Sequence, residues 1–331
     1  MVTSSDGARD TRISELVPDV YVFNSYAATG IIVTSEGVIA VDAPMAESNG
    51  LIWRDFMRQF GPLKSLCYLE HHPDHTIGGH YLDPEFVIAS EKTANEFGKA
   101  APGDADMVRS EMNALAPDLG PVPSDYIFRR PTMTFNERFT ITLGGRRFVL
   151  FEAPGHTHGS TILHAVDDRV AFVADAALPV GLPLNLHSGD PWEVLKSLAV
   201  LEMLDVDWYV PGHGKPFRRD TIPSIRTNVL TWMDKVRAMR AAGWSEEKII
   251  AEGDLFTPDP EMLTLPGLQD PRESFVKNLP SGINKFSPWM QHATVAAAVS
   301  ALEDRHPSAP QTEVFDPHPY WWEFNSSKET S

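Results

Sequence analysis

The sequence predicts an α+β protein in which two β-sheets pack face to face with helices outside them, an αββα sandwich, followed by a helical carboxy-terminal extension. Three observations carry this expectation. Short β-branched and aromatic runs recur in two series, at residues 20–41 and 139–173. Each series leads into a segment of helical spacing and then a further strand. From about Arg219 onward the pattern is helical only, so we divide the chain into 1–218, the sandwich, and 219–331, the extension with its Pro- and aromatic-rich tail. At 331 residues the chain is long enough to bury a substantial core.

Taken in order, a polar leader precedes Val20-Tyr21-Val22-Phe23, Ile31-Ile32-Val33 and Val38-Ile39-Ala40-Val41, the last two joined by the turn Ser35-Glu36-Gly37. A helix is expected from about Glu47 to Phe60, with Ile52, Phe56 and Phe60 on one face and Gly61-Pro62 as its stop. The strand Leu66–Leu69 then delivers the chain to Glu70. A strand at 86–88 and helices at 91–100 and 104–116 precede a Pro-rich connection. In the second series, Phe139–Leu143 and Arg147–Phe151 flank the turn Gly144-Gly145, and 161–166 pairs with 170–173 across Asp167-Asp168. Asp190 caps a helix running to Leu204, and the strand Trp208-Tyr209-Val210 ends in Pro211-Gly212-His213. In the extension, Ile225, Val229, Trp232, Val236 and Met239 share a helical face, with Thr221 as the expected cap and Gly243 as the stop. A second helix is expected from Ser287-Pro288 to about Asp304. The tail Pro319-Tyr320-Trp321-Trp322-Glu323-Phe324 is read as packed or bridging a homodimer in preference to a substrate lid.

Charge narrows the function classes. With 45 acidic against 28 basic residues the formal charge is −17, and the arginine pairs 129–130, 146–147 and 218–219 are short and scattered. Nucleic acid and anionic membrane are disfavoured as partners, and a small-molecule substrate is expected. The polar first 15 residues lack the apolar core of a signal peptide and no segment reaches the length of a membrane span, so a cytoplasmic location is expected. The single cysteine, Cys67, sits in an apolar run and is read as a buried small hydrophobe, not a nucleophile.

The chemistry concentrates in Glu70-His71-His72-Pro73-Asp74-His75, followed by the glycine-rich loop Thr76-Ile77-Gly78-Gly79. Five of the six residues are metal donors of the imidazole and carboxylate kind. Such donors build open catalytic sites, whereas closed structural zinc sites favour thiolates. Three more donors stand at strand ends, His156 in Pro154-Gly155-His156, Asp175 after Val173-Ala174, and His213. Loops gathered at one side of a sandwich are where a site can be assembled from residues distant in sequence.

Over roughly residues 18–216 these residues resemble the metallo-β-lactamase-fold superfamily. Its signature is His-x-His-x-Asp-His, followed by a glycine-histidine loop, a bridging Asp and a final histidine. The resemblance implies that His72 and His156 hold a first metal, that Asp74, His75 and His213 hold a second, and that Asp175 bridges them. It implies a zinc-dependent hydrolase, with manganese or iron as the other candidate metals. Two ions per chain would act through a metal-bound hydroxide, and Asp74 would relay a proton. Esters, lactones, thioesters and amides, β-lactams among them, are the substrate classes so implied. An iron-dependent oxidoreductase of the same fold and a non-catalytic metal-binding protein are the rival readings.

This chain departs from the signature at its first position, where Glu70 stands in place of histidine. Three arrangements compete: Glu70 ligates the first metal, His71 swings in to replace it, or the first site is weak or empty. Adjacent residues on an extended strand point to opposite faces, so Glu70 and His72 share a side that His71 does not, and Glu70 is favoured. An added carboxylate lowers the net charge of the site and tilts it toward harder metals. Asp42, in Val41-Asp42-Ala43-Pro44, is read as ordering the metal loops by hydrogen bonds. His187, Tyr26 and Met45 are candidate substrate-binding residues; His80 and His158 are read as outer or solvated, and His164 as a satisfied core residue.

Overall fold

The computed structural model describes residues 10–25, 27–99, 126–179, 186, 189–252, 255 and 288–303. The expected helix at 104–116, the aromatic tail, Tyr26 and His187 lie outside the described residues.

Alternation along each strand sorts apolar side chains onto two faces, and in this chain both faces are covered. β1 (Ile13–Val17), β2 (Val20–Asn24), β3 (Ala28–Thr34), β4 (Gly37–Val41), β5 (Leu63–Cys67), β6 (Phe86–Ser90) and β7 (Met133–Phe135) form one sheet in that order. Pairing is antiparallel from β1 to β4 and parallel from β4 to β7. The second sheet contains β8 (Arg138–Leu143), β9 (Arg146–Glu152), β10 (Thr161–Ala165), β11 (Val170–Ala174) and β12 (Trp208–Pro211), in the order β12-β11-β10-β9-β8. Only β11 and β12 are parallel in it.

Parallel neighbours require crossover connections, and helices supply most of them. They are α1 (Glu47–Met57), a helical turn α2 (Pro73–Thr76) extended by a 3-10 turn at Ile77–Tyr81, α3 (Glu91–Lys99) and α4 (Pro191–Met203). The extension adds α5 (Ile222–Ala241), α6 (Glu246–Glu252) and α7 (Pro288–Glu303). Among the described residues no helix is long and apolar enough to cross a membrane.

Three apolar layers result. Between the sheets lie Val22, Ile32, Ile39, Val41, Cys67, Leu69 and, from the other sheet, Phe148, Leu150, Leu163 and Phe172. The alternate residues Phe23, Ile31, Ala40, Leu66 and Tyr68 meet Trp53 and Phe56 of α1. On the far side Val149, Phe151, Ile162 and Val173 meet Leu195 and Leu198 of α4, and the same cluster continues through Ile225, Val229, Trp232 and Val236 of α5 to Val295 and Ala298 of α7. This is the expected αββα sandwich with a helical carboxy-terminal region. Cys67 is fully buried between the sheets, where burial pushes its thiol up to about 12, so it behaves as a small hydrophobe.

Several local expectations need correction. The polar leader ends in an element that was not expected: Ile13–Val17 forms an edge strand whose one buried side chain, Ile13, sends only a weak alternation signal. α1 buries Asn49, Gly50, Trp53, Phe56 and Met57, a stripe turned from the expected one, and ends at Met57. Thr221 makes no side-chain cap; it closes a 3-10 turn at Arg219–Thr221 that already has helical dihedrals and runs straight into α5. Asp190 does cap α4, accepting from the Trp192 N–H at 2.6 Å. His164, on the face of β10 shared by Ile162, is 1% exposed, yet neither ring nitrogen has a hydrogen-bond partner among the described residues. Burial, and secondarily Arg147, lowers it to about 4.

Two predictions follow from these packings. A Cβ at Gly30 would lie 2.0 Å from the ring of Phe172, which is locked between the sheets. Gly30→Ala is expected to destabilise the fold by about 1–3 kcal/mol in chemical denaturation, and an accompanying Phe172→Leu to recover part of the loss. Because the folded chain resists protonating His164 while the unfolded chain accepts the proton near 6.5, this residue's contribution is complete above 6.5 and lost as pH falls from there toward 4. His164→Leu should therefore flatten that part of the stability profile measured against wild type.

Candidate metal centre

Strand ends of both sheets converge on one edge of the sandwich. β4 delivers Asp42; β5 leads to Glu70 and His72; α2 carries Asp74 and His75; the β9–β10 loop holds His156; β11 ends before Asp175 and β12 before His213. Backbone bonds tie the two sheets together at this edge, from Thr161 N–H to Leu69 C=O at 2.8 Å and from Ala28 N–H to Gly212 C=O at 2.6 Å. A further bond from Ala43 N–H to His75 C=O, 2.8 Å, holds α2 against the end of β4.

The segment after Glu70 is helical and partly buried, not the polar loop that its glycines suggested. Pro73 opens the turn with a pre-set φ, and Thr76 Oγ1 donates to His72 C=O at 3.0 Å. Two features of the backbone aim the distant donors. Ala174 has φ +42° beside a register shift in the β11–β12 pairing, a strained bulge that presents Asp175. Gly212, just before His213, permits close approach: a Cβ there would stand 2.2 Å from Asp175 Oδ1 and 2.6 Å from the His75 ring. Neither signal is visible without the fold, although the Pro-Gly-His run marked the neighbourhood.

All seven sequence-predicted donors meet. Glu70, His72 and His156 form one group, Asp74, His75 and His213 a second, and Glu70, His75 and Asp175 a third, the donor atoms in each lying within 4.8 Å of one another. In the first, Glu70 Oε2 is 3.0 Å from His72 Nδ1 and 3.1 Å from His156 Nε2, and the two nitrogens are 3.0 Å apart. In the second, Asp74 Oδ2 is 3.2 Å from His213 Nε2 and 3.9 Å from His75 Nε2. Asp175 stands between the groups, Oδ2 at 3.6 Å from His156 Nε2 and 3.5 Å from His213 Nε2, Oδ1 at 3.7 Å from His75 Nε2. His71 joins none of the groups; its ring lies 4.7 Å from that of His72. Met45 is buried between β4 and α1, His158 is exposed, and His80 Nδ1 accepts from Ile127 N–H at 2.9 Å.

These residues suit a divalent metal on physical grounds. Ligands arranged tetrahedrally at about 2.0–2.1 Å from zinc are about 3.3 Å from one another, close to the spacing of the first group. Both Glu70 oxygens, His75 Nε2 and Asp175 Oδ1 are buried without a hydrogen-bond partner among the described residues, which is costly unless something else satisfies them. Electrostatics agree. Burial by itself would raise Glu70, but His75, His156 and His72 outweigh it and hold its carboxyl well below the usual range. Burial would lower His75, yet Glu70, Asp74 and Asp42 raise it well above the ordinary value, and Asp175 and Asp74 raise His213 to about 9. Protons thus compensate an excess of buried negative charge, the role a cation fills in a metal site.

Asp42 fixes the orientation of His75. Its carboxylate accepts from Leu69 N–H at 2.8 Å and lies 2.8 Å from His75 Nδ1, so the Nδ1–H tautomer leaves Nε2 turned toward Glu70, Asp74 and Asp175. Asp42 itself has φ +56° and is buried.

A family model described as "Metallo-beta-lactamase superfamily" matches residues 71–213, the span that runs from the first histidine of the motif to the last. Over that span, which holds all seven donors but Glu70, the chain is similar to the metallo-β-lactamase superfamily. The linear primary-alkylsulfatase of Pseudomonas sp. is 25% identical over 249 residues, covering 60% of this chain and 46% of that protein. Hydroxyacylglutathione hydrolase of Rhizobium etli is 32% identical over 85 residues, covering 25% of this chain and 33% of that protein. The chain thus spans less than half the length of these curated relatives. Among solved structures, the stereoselective inverting sec-alkylsulfatase Pisa1 from Pseudomonas sp. superposes with a TM-score of 0.61 at 14% identity, over 93% of this chain and 52% of that one. At that identity the likeness concerns the metallo-β-lactamase fold.

With Asp42 orienting His75 in this centre, Asp42→Ala should weaken metal binding by about 10- to 100-fold in a chelator competition, with the fold retained in circular dichroism.

Proposed function

We propose that the chain is a metal-dependent hydrolase of small-molecule esters in the broad sense, carboxylic esters, lactones, thioesters and sulfate monoesters, with amides including β-lactams as the outer range. The observation that carries this reading is the open group Asp74-His75-His213 beside Glu70-His72-His156, joined by Asp175 and free of thiolate. The likeness to two alkylsulfatases supports adding sulfate esters to the classes implied by the motif.

Glu70, His72 and His156 would hold one divalent ion and Asp74, His75 and His213 another, with Asp175 shared; zinc is the first choice and manganese or iron the alternatives. When bound, such ions supply Lewis acidity and lower the pKa of water toward neutrality. The protein's own groups have separable tasks. Glu70, His75, His156 and Asp175 form the floor, their side chains no more than 4% exposed. His72, Asp74 and His213 are 13%, 17% and 21% exposed and form the rim that substrate meets. Asp74 is the most exposed carboxylate of the centre; its Oδ2 faces His213 and His75 as a ligand atom, and its other oxygen is the one able to take a proton from the attacking water and pass it to a leaving group. The nearby hydroxyl of Ser160 is engaged with Thr157, accepting from its N–H at 3.0 Å, and takes no nucleophilic part.

The test is turnover by the metal-loaded chain across aryl and alkyl carboxylic esters, a lactone, an acyl thioester, an alkyl sulfate and a chromogenic cephalosporin. Hydrolysis of at least one class is expected, abolished by chelation and restored by the metal. Asp74→Asn should lower kcat by about 10²- to 10⁴-fold. Full metal loading with no turnover of any class would overturn the hydrolase reading in favour of a metal-binding role.

A further inference from the structure

We propose that Glu70 is a bridging ligand shared by both metal positions, so that this centre is held by two bridging carboxylates, Glu70 and Asp175. The inference rests on the metal-centre reading above and goes beyond it, because there Glu70 serves the first position alone.

The two oxygens of Glu70 face different ligand groups. Oε2 stands 3.0 Å from His72 Nδ1 and 3.1 Å from His156 Nε2; Oε1 stands 3.2 Å from His75 Nε2. Each distance is near the ligand-to-ligand spacing of about 3.3 Å around one small divalent ion. Asp175 also reaches both groups but divides its oxygens differently, with Oδ2 between His156 and His213 and Oδ1 toward His75, at slightly longer range. Glu70 accordingly takes part in two of the three donor groups, one with His72 and His156 and one with His75 and Asp175. Both Glu70 oxygens are buried without a hydrogen bond of good geometry among the described residues, a demand that a shared cation would satisfy.

An imidazole at this position has one lone pair to offer and serves one ion. A carboxylate has two oxygens and can serve two. The exchange of histidine for Glu70 therefore alters the second position as well as the first: it brings an added negative oxygen to that group at His75. With Glu70, Asp74 and Asp175 ionised, three carboxylates face two divalent ions, and each ion is stabilised by oxygens that the other helps to hold.

The experiment is stepwise Zn2+ titration of the metal-free full chain by calorimetry, with His72→Ala marking the first position and Asp74→Ala the second. Wild type is expected to take up two equivalents. Glu70→His, which restores the histidine of the superfamily signature, should weaken the second position by about tenfold or more, whereas His72→Ala should leave it within about threefold. Equal second-position affinity in Glu70→His and wild type would overturn the bridge while leaving the metal centre intact. Uptake of a single equivalent by wild type would also overturn it, since a bridge needs two ions. Failure of His72→Ala and Asp74→Ala to reduce uptake would instead refute the metal-centre reading itself. Should Glu70→His not fold, judged by circular dichroism, the near-isosteric Glu70→Gln carries the same comparison.

Discussion

Four carboxylates, Asp42, Glu70, Asp74 and Asp175, are drawn together at one edge of the sandwich with four imidazoles among them. Charges of one sign cannot be concentrated out of water without compensation, and the buried orphan atoms of Glu70, His75 and Asp175 show that hydrogen bonds do not supply all of it. The carboxylates in turn raise His75 and His213 above the ordinary imidazole range. Most of the local architecture serves to maintain this arrangement against its own repulsion. Asp42 grips Leu69 and His75, the strained Ala174 aims Asp175, and the absence of a side chain at Gly212 lets His213 come in beside them.

The sandwich provides the rigidity that such a cluster demands. Parallel neighbours in both sheets, β4 with β5 and β11 with β12, send their carboxyl ends toward one edge. The bonds Thr161 to Leu69 and Ala28 to Gly212 then close the two sheets upon each other where the donors emerge. The carboxy-terminal region contributes from the far side: Thr294 Oγ1 of α7 accepts from Leu186 N–H, in the segment after Asp175, and the Trp192 indole at the start of α4 donates to Ala301 C=O. Its helices extend the apolar layer behind the second sheet and so support the element that carries Asp175 and leads to His213.

Much of the fold was legible in the sequence because most of its strands are buried on both faces and its turns carry ordinary turn residues. The runs at Val20, Ile31, Val38, Phe139, Arg147, Thr161 and Val170 each became a strand close to the expected bounds. What escaped were elements whose stability lies elsewhere than in their own pattern. β1 is held by pairing with β2, the turns from Pro73 to Tyr81 by close approach of Gly78 to Pro44 and of Gly79 to Tyr68, and α6 by packing of Ile249. His164 escaped in another way: burial was expected, but its lack of partners depends on what the neighbouring face of β10 happens to offer.

The sequence by itself determined the donor inventory, its order along the chain, and the replacement of a histidine by Glu70, since residue type fixes what each side chain can ligate. It also led to the expectation that Glu70 shares a side with His72, although both residues lie beyond the end of β5; Glu70 Oε2 is 3.0 Å from His72 Nδ1. The tertiary structure alone decided which oxygen of Glu70 meets which imidazole, which nitrogen of His75 is left for a metal, and that Asp42 stands behind it. Those outcomes depend on distances of about 3 Å between segments separated by many residues in the chain, and such distances are set by sheet packing rather than by any local propensity.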